Sequence, residues 1–154
     1  KGRKVPTLCV IDVQPVFKPA EVILPAVVKD IEKAKNNNDG IVILEYYSFS
    51  RSHEIIRKVL GKYKNKSFGF KSTDDGSVHF LEACKSRGFA PDVVKVVGVK
   101  TGFCVLETIL GLLRSERVKQ VEVMLNAING DTPDWELKEL KKVVEPFENK
   151  VKFI

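Results

Sequence analysis

The chain of 154 residues is 44% hydrophobic and 30% charged, with a formal net charge of +6 at pH 7. This length predicts a single domain over residues 1–154 with an ordinary hydrophobic core, and the composition is that of a soluble globular protein. No apolar run approaches the roughly 20 residues that span a bilayer, and the first residues carry no signal-peptide pattern. We therefore expect a cytoplasmic protein with no membrane partner.

The cysteines and the excess positive charge are both dispersed along the chain. Cys9, Cys84 and Cys104 lack metal-ligand spacing, so we expect three reduced thiols. A nucleic-acid site would need a clustered basic face with interleaved aromatic residues, whereas the lysines are spread along most of the sequence. We therefore interpret the charge as solvated surface and expect no nucleic-acid partner.

Apolar strand patterns and amphipathic helix patterns alternate along the chain. The predicted strands cover residues 5–13, 41–47, 67–71, 93–99, 118–125 and 151–154. The predicted helices run from Pro25 to about Lys35, between Ser52 and Gly61, from Val78 to Arg87, from about Cys104 to Leu113, and onward from Pro133. Ser52, Ser77 and Thr132 are expected to cap three of these helices, because their side-chain oxygens can accept hydrogen bonds from free backbone N–H groups.

This alternation predicts an α/β fold with about six strands and five helices. Right-handed crossovers would build a parallel sheet covered by helices on both faces, a three-layer, doubly wound architecture. In open sheets of this kind, functional sites form beyond the carboxyl ends of the strands. Asp12, Lys71 and the turn before Cys104 all fall at such ends.

Cys104 follows a β-branched strand and a glycine-bearing turn, at the start of an apolar-periodic segment. A thiol at a helix N-terminus lies at the positive end of the helix macrodipole, which favours its thiolate. Unsatisfied backbone N–H groups there can also stabilise the oxyanion formed when a thiolate attacks a carbonyl. The alternative is a small buried hydrophobic residue, which is what most free cysteines are.

Asp12 and Lys71 are the candidate partners of this thiol. A carboxylate at the end of an apolar strand is costly to bury without a partner, so Asp12 either caps the following turn or accepts the thiol proton. A cation such as Lys71 would balance the negative charge of this pair. Lys66 lies five residues earlier and is an alternative to Lys71.

The two histidines are not expected at this site. His53 follows the second strand and is interpreted as a solvated residue at a helix start, and His79 is interpreted as a surface residue of a helix. No G-x-S-x-G or G-x-G-x-x-G motif occurs. The sequence therefore supports neither a serine nucleophile elbow nor a dinucleotide site.

Two motifs carry a resemblance to a known family. Residues 12–17 read DVQPVF, which fits D-x-Q-x-x-F at the end of the first strand, and residues 98–105 read GVKTGFCV, which fits G-V-x-T-x-x-C-V. With these motifs the chain resembles the isochorismatase-like cysteine hydrolases, which include nicotinamidases and related amidases. The alternation of strands and helices extends the resemblance over nearly the whole chain.

The resemblance implies a catalytic triad of Asp12, Lys71 and Cys104 and a sheet order of 3-2-1-4-5-6. The spacing of Lys71 from Cys104 is close to that expected in the family, and Lys66 fits less well. The resemblance also implies a cis peptide bond between Val99 and Lys100, with backbone N–H groups near Lys100 and Cys104 forming an oxyanion hole.

The resemblance further assigns Gln14, Phe17 and Tyr47 to the substrate pocket, with Gln14 positioning its loop. Two segments depart from the family pattern. The lysine is followed by STDDGS instead of a Ser-Ala-Phe-like segment, and residues 46–53 lack the Asp-x-His arrangement of nicotinamidase-type members. Because a metal site needs three or more protein ligands, we expect no catalytic metal and no cofactor, which argues against nicotinamide as the substrate.

We therefore expect a metal-independent cysteine hydrolase that acts on a small amide-like or related carbonyl compound through a thioacyl intermediate on Cys104. Its expected partners are this small-molecule substrate and further copies of the chain, since relatives are often dimers or larger. One alternative is a non-catalytic or regulatory module that keeps the fold for binding or oligomerisation. Another is a small flavodoxin-like binding domain whose Cys104 is a redox-sensitive thiol.

Overall fold

The computed structural model describes residues 6–154 and contains six strands and five α-helices within that range. The strands are β1 (Thr7–Ile11), β2 (Gly40–Tyr46), β3 (Lys66–Lys71), β4 (Val93–Val99), β5 (Gln120–Asn129) and β6 (Val151–Phe153). The helices are α1 (Ala20–Asn36), α2 (Glu54–Leu60), α3 (Ser77–Arg87), α4 (Leu106–Leu113) and α5 (Pro133–Val143). A π-helical turn (Thr101–Val105) precedes α4, and a 3-10 turn (Glu145–Phe147) follows α5.

The six strands form one sheet in the order β3-β2-β1-β4-β5-β6, and each neighbouring pair is parallel. The predicted α/β architecture and strand order are therefore confirmed. The order reverses direction between β1 and β4, so the chain first builds outward through β2 and β3 and then returns to build the other half. The carboxyl ends of β1, β3 and β4 consequently lie at the same edge of the sheet.

The sheet is buried on both faces, because successive strand residues point to opposite sides. In β1, Leu8 and Val10 belong to one core cluster, whereas Cys9 and Ile11 belong to the other. The first cluster packs against α1 and α2, and the second packs against α3, α4 and α5. This double burial explains why the strand sequences are almost continuously apolar.

The start of α1 differs from the prediction. The helix begins at Ala20, and Pro25 lies inside it rather than at its first position. Proline in a helix interior removes one hydrogen bond and costs about 3 kcal/mol. The helix continues through Pro25 because its buried stripe packs on the sheet, and tertiary packing outweighs local propensity. That stripe consists of Ala20, Ile23, Val27, Ile31 and Ala34.

Two predicted helix caps are also wrong. Ser52 donates its hydroxyl to Glu45 Oε2 at 2.6 Å, and His53 occupies the N-cap of α2 instead. Ser77 is the first residue of α3 rather than its cap, and its N–H donates to Asp75 Oδ1 at 2.8 Å. Neither serine oxygen acts as the expected acceptor: Glu45 accepts both the N–H and the hydroxyl of Ser52, and Asp75 accepts the N–H of Ser77.

Two further points concern the ends and the surface of the chain. Val5, which was included in the first predicted strand, lies outside the described residues. Trp135, a possible core or contact residue in the sequence pattern of α5, is 58% exposed. Within residues 6–154, no helix is both long enough and apolar enough to cross a membrane.

Gly98 permits close contact between β4 and β1 at the edge that carries the functional residues. Its φ is +129°, and an added Cβ would overlap the backbone carbonyl oxygen of Ile11. We predict that Gly98→Ala lowers the free energy of unfolding by about 3 kcal/mol or more, because neither backbone can move within the paired strands.

Urea unfolding monitored by circular dichroism would measure this change. Gly88→Ala is the matched control, since Gly88 also has a positive φ of +74° but no heavy atom within 4 Å of the added Cβ. We expect the control to cost about 1 kcal/mol. Equal midpoints for the two variants would contradict the proposed close contact.

Candidate active site

Asp12 follows the carboxyl end of β1 in a left-handed backbone conformation, with φ of +52°. Aspartate is one of the few non-glycine residues that adopt this conformation with some frequency. The Asp12 N–H donates to the Leu44 carbonyl at 3.0 Å, which fixes the residue against β2. Its side chain is only 1% exposed, so a carboxyl group is held inside the protein at the edge of the sheet.

Lys71 is the last residue of β3, and its side chain has no solvent exposure. Its Nζ donates to Asp12 Oδ2 at 2.9 Å, to the Thr73 carbonyl at 3.1 Å and to Cys104 Sγ at 3.5 Å. The same ammonium lies 4.0 Å from the centroid of the Tyr46 ring. Each ammonium proton therefore has an acceptor, and the aromatic face adds a cation–π contact.

Cys104 lies in the π-helical turn between β4 and α4 and is 7% exposed. The Lys100 carbonyl accepts hydrogen bonds from both Phe103 N–H and Val105 N–H, at 3.0 and 3.1 Å, which closes the turn. The peptide bond between Val99 and Lys100 is cis, the isomer that the resemblance implies. The helical segment therefore begins three residues before Cys104 rather than at it.

Glu136 of α5 holds this turn from the other side. The buried carboxylate accepts the Gly102 N–H through Oε1 at 2.9 Å. Its Oε2 accepts the Thr132 N–H at 2.8 Å and the Thr132 hydroxyl at 3.1 Å. Thr132 is the N-cap of α5, as predicted, but Glu136 supplies the capping acceptor. One side chain thus connects the start of α5 to the turn that carries the thiol.

The pKa values of Asp12 and Cys104 are both raised. Burial raises the pKa of the Asp12 carboxyl above 3.8, and the neighbouring Lys71 ammonium partly opposes this shift. Burial also raises the pKa of the Cys104 thiol, and the Asp12 carboxylate raises it further, whereas Lys71 lowers it. The expected preference for a thiolate at the helix start is therefore outweighed by desolvation and by the adjacent negative charge. Burial and Asp12 therefore favour the protonated thiol over the thiolate.

An acceptor for that proton lies within the cluster. Asp12 Oδ1 is buried and has no hydrogen-bond partner among the described residues. In this conformation the Cys104 thiol donates to Asp74 Oδ1 at 3.6 Å. Asp12 thus offers one oxygen to the Lys71 ammonium and keeps the other available.

A cavity of about 280 Å³ opens above the cluster. Asp12 and Cys104 line it together with the aromatic rings of Phe17, Tyr46 and Phe103. Phe17, Tyr46 and the more exposed Phe49 form a group of rings with centroid distances of 5.4 to 6.2 Å. A volume of this size suits a small molecule in contact with aromatic surface.

Two residues assigned to this pocket from the sequence do not line it. Gln14 is fully buried, and its amide donates to the Tyr46 and Ser50 carbonyls while its oxygen accepts the Tyr46 N–H. Gln14 therefore holds the segment around the end of β2. Tyr47 lies beyond the end of β2 and is 66% exposed, whereas its neighbour Tyr46 lines the cavity.

Two acidic residues at the cavity, Asp74 and Asp131, were not identified from the sequence, and Lys100 was named there only for its backbone. Asp74 Oδ1 accepts hydrogen bonds from the Tyr46 hydroxyl at 3.0 Å and from the Cys104 thiol at 3.6 Å. Lys100 and Asp131 form an ion pair of 2.8 Å at the cavity. Asp74 follows the carboxyl end of β3 by three residues, so the rule that identified Asp12 would have found it. Asp131 could not be found in this way, because the fifth strand was predicted to end at residue 125, whereas β5 continues to Asn129.

The remaining candidates lie away from the cavity. Lys66 begins β3, at the opposite end from Lys71, and donates to the Tyr63 carbonyl at 2.9 Å. Neither His53 nor His79 lines the cavity. Within residues 6–154, no three His, Cys, Asp or Glu side chains are grouped so as to hold a metal ion.

A second, larger groove of about 620 Å³ lies between α1 and β5. Its lining includes Lys29, Asp30, Met124 and the terminal Ile154, but none of the residues predicted for the functional site. The smaller cavity is therefore the better candidate for the functional site, because Asp12 and Cys104 line it and Lys71 contacts both.

This fold recurs in solved hydrolase structures. A nicotinamidase from Staphylococcus aureus aligns with 97% of this chain and 100% of its own length, with a TM-score of 0.81 and 17% identity. An isochorismatase-like hydrolase from Alkaliphilus metalliredigens aligns with 97% of this chain and 94% of its own length, with a TM-score of 0.76 and 18% identity.

The MAR1 ribonuclease from Caenorhabditis elegans aligns with 92% of this chain and 75% of its own length, with a TM-score of 0.77 and 18% identity. No protein-family model matches the sequence, and no curated protein matches it. The chain therefore has the α/β fold of nicotinamidases and isochorismatase-like hydrolases, in agreement with the resemblance seen in its two motifs.

The carboxylate of Glu136 provides a test of how the nucleophile turn is held. In Glu136→Gln, one acceptor oxygen becomes an NH2 donor, which faces the N–H of either Gly102 or Thr132 whichever way the amide is oriented. We predict that this near-isosteric change lowers the free energy of unfolding by about 1–3 kcal/mol.

Equilibrium urea denaturation would give the value. Glu116→Gln is the matched control, because Glu116 is exposed in the connection between α4 and β5 and makes no such contact with the turn. The control is expected to change stability by less than about 0.5 kcal/mol. Identical stability of the two variants would show that Glu136 does not support the turn.

Proposed function

We propose that the chain is an isochorismatase-like cysteine hydrolase that cleaves a small amide-like or related carbonyl substrate without a metal. The observation that carries the proposal is the contact of one buried ammonium with both a carboxylate and a thiol, at 2.9 and 3.5 Å. The thiol and the carboxylate also line a cavity of small-molecule size. Cys104 is the proposed nucleophile, Asp12 the general base and Lys71 their charge partner.

In the first half of the reaction, Asp12 takes the Cys104 proton as the sulfur attacks the carbonyl carbon. A sulfur–carbon bond forms, and the carbonyl oxygen acquires negative charge. Backbone N–H groups at Lys100 and Cys104, at the start of the helical segment, are the proposed donors to this oxyanion. Asp12 then returns the proton to the leaving nitrogen as the carbon–nitrogen bond breaks, which leaves a thioacyl group on Cys104.

In the second half, water attacks the thioacyl carbon while Asp12 takes a proton from it. The sulfur–carbon bond breaks, the carboxylic acid leaves, and the proton returns to Cys104. Asp12 therefore alternates between base and acid, a role that suits a carboxyl group whose pKa is raised toward the working pH by burial. Lys71 keeps its charge throughout and offsets the negative charge that passes between carboxylate and thiolate.

Asp12 is a better candidate base than Asp74, although both lie near the thiol. Asp74 Oδ1 accepts the Cys104 thiol at 3.6 Å, but the same oxygen also accepts the Tyr46 hydroxyl. Asp12 has a buried oxygen without a hydrogen-bond partner and an ammonium that stabilises its charged form. These contacts support Asp12 as the group that receives the proton.

The alternatives drawn from the sequence have less support. A binding or oligomerisation module does not need a buried lysine, carboxylate and thiol in mutual contact, and such groups are costly to bury. A redox-sensing thiol is typically exposed and of low pKa, whereas Cys104 is buried and its pKa is raised. As parts of the same proposal, the chain belongs to the isochorismatase-like family, its reaction is of the amidase type, and it assembles with further copies of itself.

A screen of small amides and esters, with Cys104→Ala beside the wild type, tests the proposal. We expect hydrolysis by the wild type and a loss of at least about a thousandfold in kcat/KM in the variant, because no nucleophile remains. Release of ammonia or of an alcohol is the readout.

Cys84→Ala is the control, since Cys84 is a free cysteine buried within the core on α3. It should retain the wild-type kcat/KM. Hydrolysis by Cys104→Ala at the wild-type rate would overturn the proposed mechanism.

Asp12→Asn should have opposite effects on the alkylation of the Cys104 thiol and on hydrolysis. Without the neighbouring negative charge, the pKa of Cys104 falls, since Asp12 raises it and Lys71 lowers it. At about pH 8, above the ordinary range of an aspartate, we expect iodoacetamide to alkylate Cys104 several-fold faster in the variant. Hydrolysis should nevertheless fall by at least about a hundredfold, because the group that transfers the proton is missing.

Peptide mapping by mass spectrometry would assign the alkylated cysteine, with Cys9 and Cys84 as internal references. Glu116→Gln again controls for the loss of one carboxylate. If Asp12→Asn slowed alkylation and left hydrolysis intact, Asp12 would be neither the base nor the source of the raised thiol pKa.

A further inference from the structure

The charges around the cavity do not cancel. Asp12 is paired with Lys71, and Lys100 is paired with Asp131. Within residues 6–154, no lysine, arginine or histidine lies within ion-pair distance of Asp74. With the Cys104 thiol protonated, the cavity therefore carries the uncompensated negative charge of Asp74.

The Asp74 carboxylate is fixed in place beside the sulfur. Its Oδ1 accepts the Tyr46 hydroxyl at 3.0 Å, and its backbone carbonyl accepts the hydroxyl of Thr108 on α4 at 3.4 Å. The same Oδ1 accepts a hydrogen bond from the Cys104 thiol at 3.6 Å. Burial and the neighbouring Asp74 carboxylate raise the pKa of the Tyr46 hydroxyl to about 12, so the tyrosine remains a donor at neutral pH.

This placement acts on any substrate that reaches the sulfur. A bound carbonyl compound must lie within van der Waals distance of Sγ and hence within a few ångströms of the Asp74 oxygen. Two charges at such a distance interact in water and interact several times more strongly near a protein surface, where the effective dielectric constant is lower. A carboxylate on the substrate would be repelled, and an ammonium or an N–H donor would be attracted.

We infer that Asp74 is a specificity-determining residue, which selects small amides that carry a cationic or hydrogen-bond-donating group near the scissile carbonyl and rejects those that carry a carboxylate there. The inference rests on the proposed hydrolase function for its biological meaning. The charge selection itself concerns access to the Cys104 sulfur and can be measured separately.

Three methanethiosulfonates that differ in charge provide that measurement, namely the 2-ammonioethyl, 2-sulfonatoethyl and methyl reagents. In each case the Cys104 thiolate attacks the sulfenyl sulfur, a disulfide forms, methanesulfinate leaves and the thiol proton passes to the buffer. The ratio of the cationic to the anionic rate is the quantity of interest. A change in thiolate fraction affects both rates equally and cancels in this ratio.

In the wild type, we expect this ratio at Cys104 to exceed that of 2-mercaptoethanol in the same buffer. Asp74→Asn should lower it by about tenfold, because one negative charge beside the sulfur is removed. The asparagine side-chain oxygen can still accept the Tyr46 hydroxyl, so the variant is expected to fold. Glu116→Gln removes a distant carboxylate and should leave the ratio unchanged.

The same variants are then compared on a neutral primary amide of three carbons, its 3-ammonio analogue and its carboxylate analogue. We expect kcat/KM in the wild type to be highest for the cationic amide, lower for the neutral amide and lowest for the anionic amide. In Asp74→Asn we expect smaller differences in kcat/KM between the three amides. An unchanged reagent ratio in Asp74→Asn would overturn the inference, even if amide hydrolysis depends on Cys104.

The hydrolase proposal fails by a different result. If no amide or ester is turned over in a Cys104-dependent manner while the reagent ratio still depends on Asp74, the cavity selects charge without hydrolysis. A Tyr46→Phe variant gives a second check, since freeing Asp74 from its hydrogen bond keeps the charge and should preserve a ratio above that of 2-mercaptoethanol.

Discussion

The buried ion pair between Asp12 and Lys71 is the interaction on which the rest of the site depends. A lysine without solvent exposure requires a nearby negative charge, because desolvation of an unpaired ammonium costs several kcal/mol. Asp12 supplies that charge at 2.9 Å, and the Thr73 carbonyl and the Cys104 sulfur complete the coordination of the ammonium. Burial raises the pKa of the Cys104 thiol, and the same pair then acts on it in opposite directions, since the carboxylate raises it and the ammonium lowers it. The ion pair therefore both allows Lys71 to be buried and influences the reactivity of the Cys104 thiol.

The parallel sheet makes this pairing possible. Asp12 and Lys71 come from β1 and β3, with β2 between them, and the cysteine follows β4 on the other side of β1. Residues at the same edge of a parallel sheet converge although they are far apart in sequence. Two further contacts help to position the turn that carries Cys104. Gly98 allows β4 to approach β1 closely, and Glu136 ties the nucleophile turn to α5.

Much of this arrangement could be predicted from the sequence, because the deciding patterns are local. Apolar strands alternating with amphipathic helices predict the parallel sheet, and the strand-end positions of Asp12, Lys71 and Cys104 nominate the site.

The features that the sequence did not predict are set by tertiary contacts. Pro25 lies inside α1 because a buried stripe of that helix packs on the sheet, and Ser52 donates to Glu45 instead of capping its own helix. The choice between Tyr46 and Tyr47 depends on where β2 ends, and the raised thiol pKa depends on burial and on Asp12, neither of which a helix-dipole argument contains.

Direct detection of a thioacyl group on Cys104 tests the central claim most closely. The wild type is mixed with an activated acetyl ester, the reaction is quenched in acid during turnover, and the intact mass and its peptides are determined. The account predicts a transient acetyl adduct on Cys104 that disappears as the ester is consumed, with no comparable adduct on Cys9 or Cys84. Hydrolysis of the ester without any acyl group on Cys104 would contradict it.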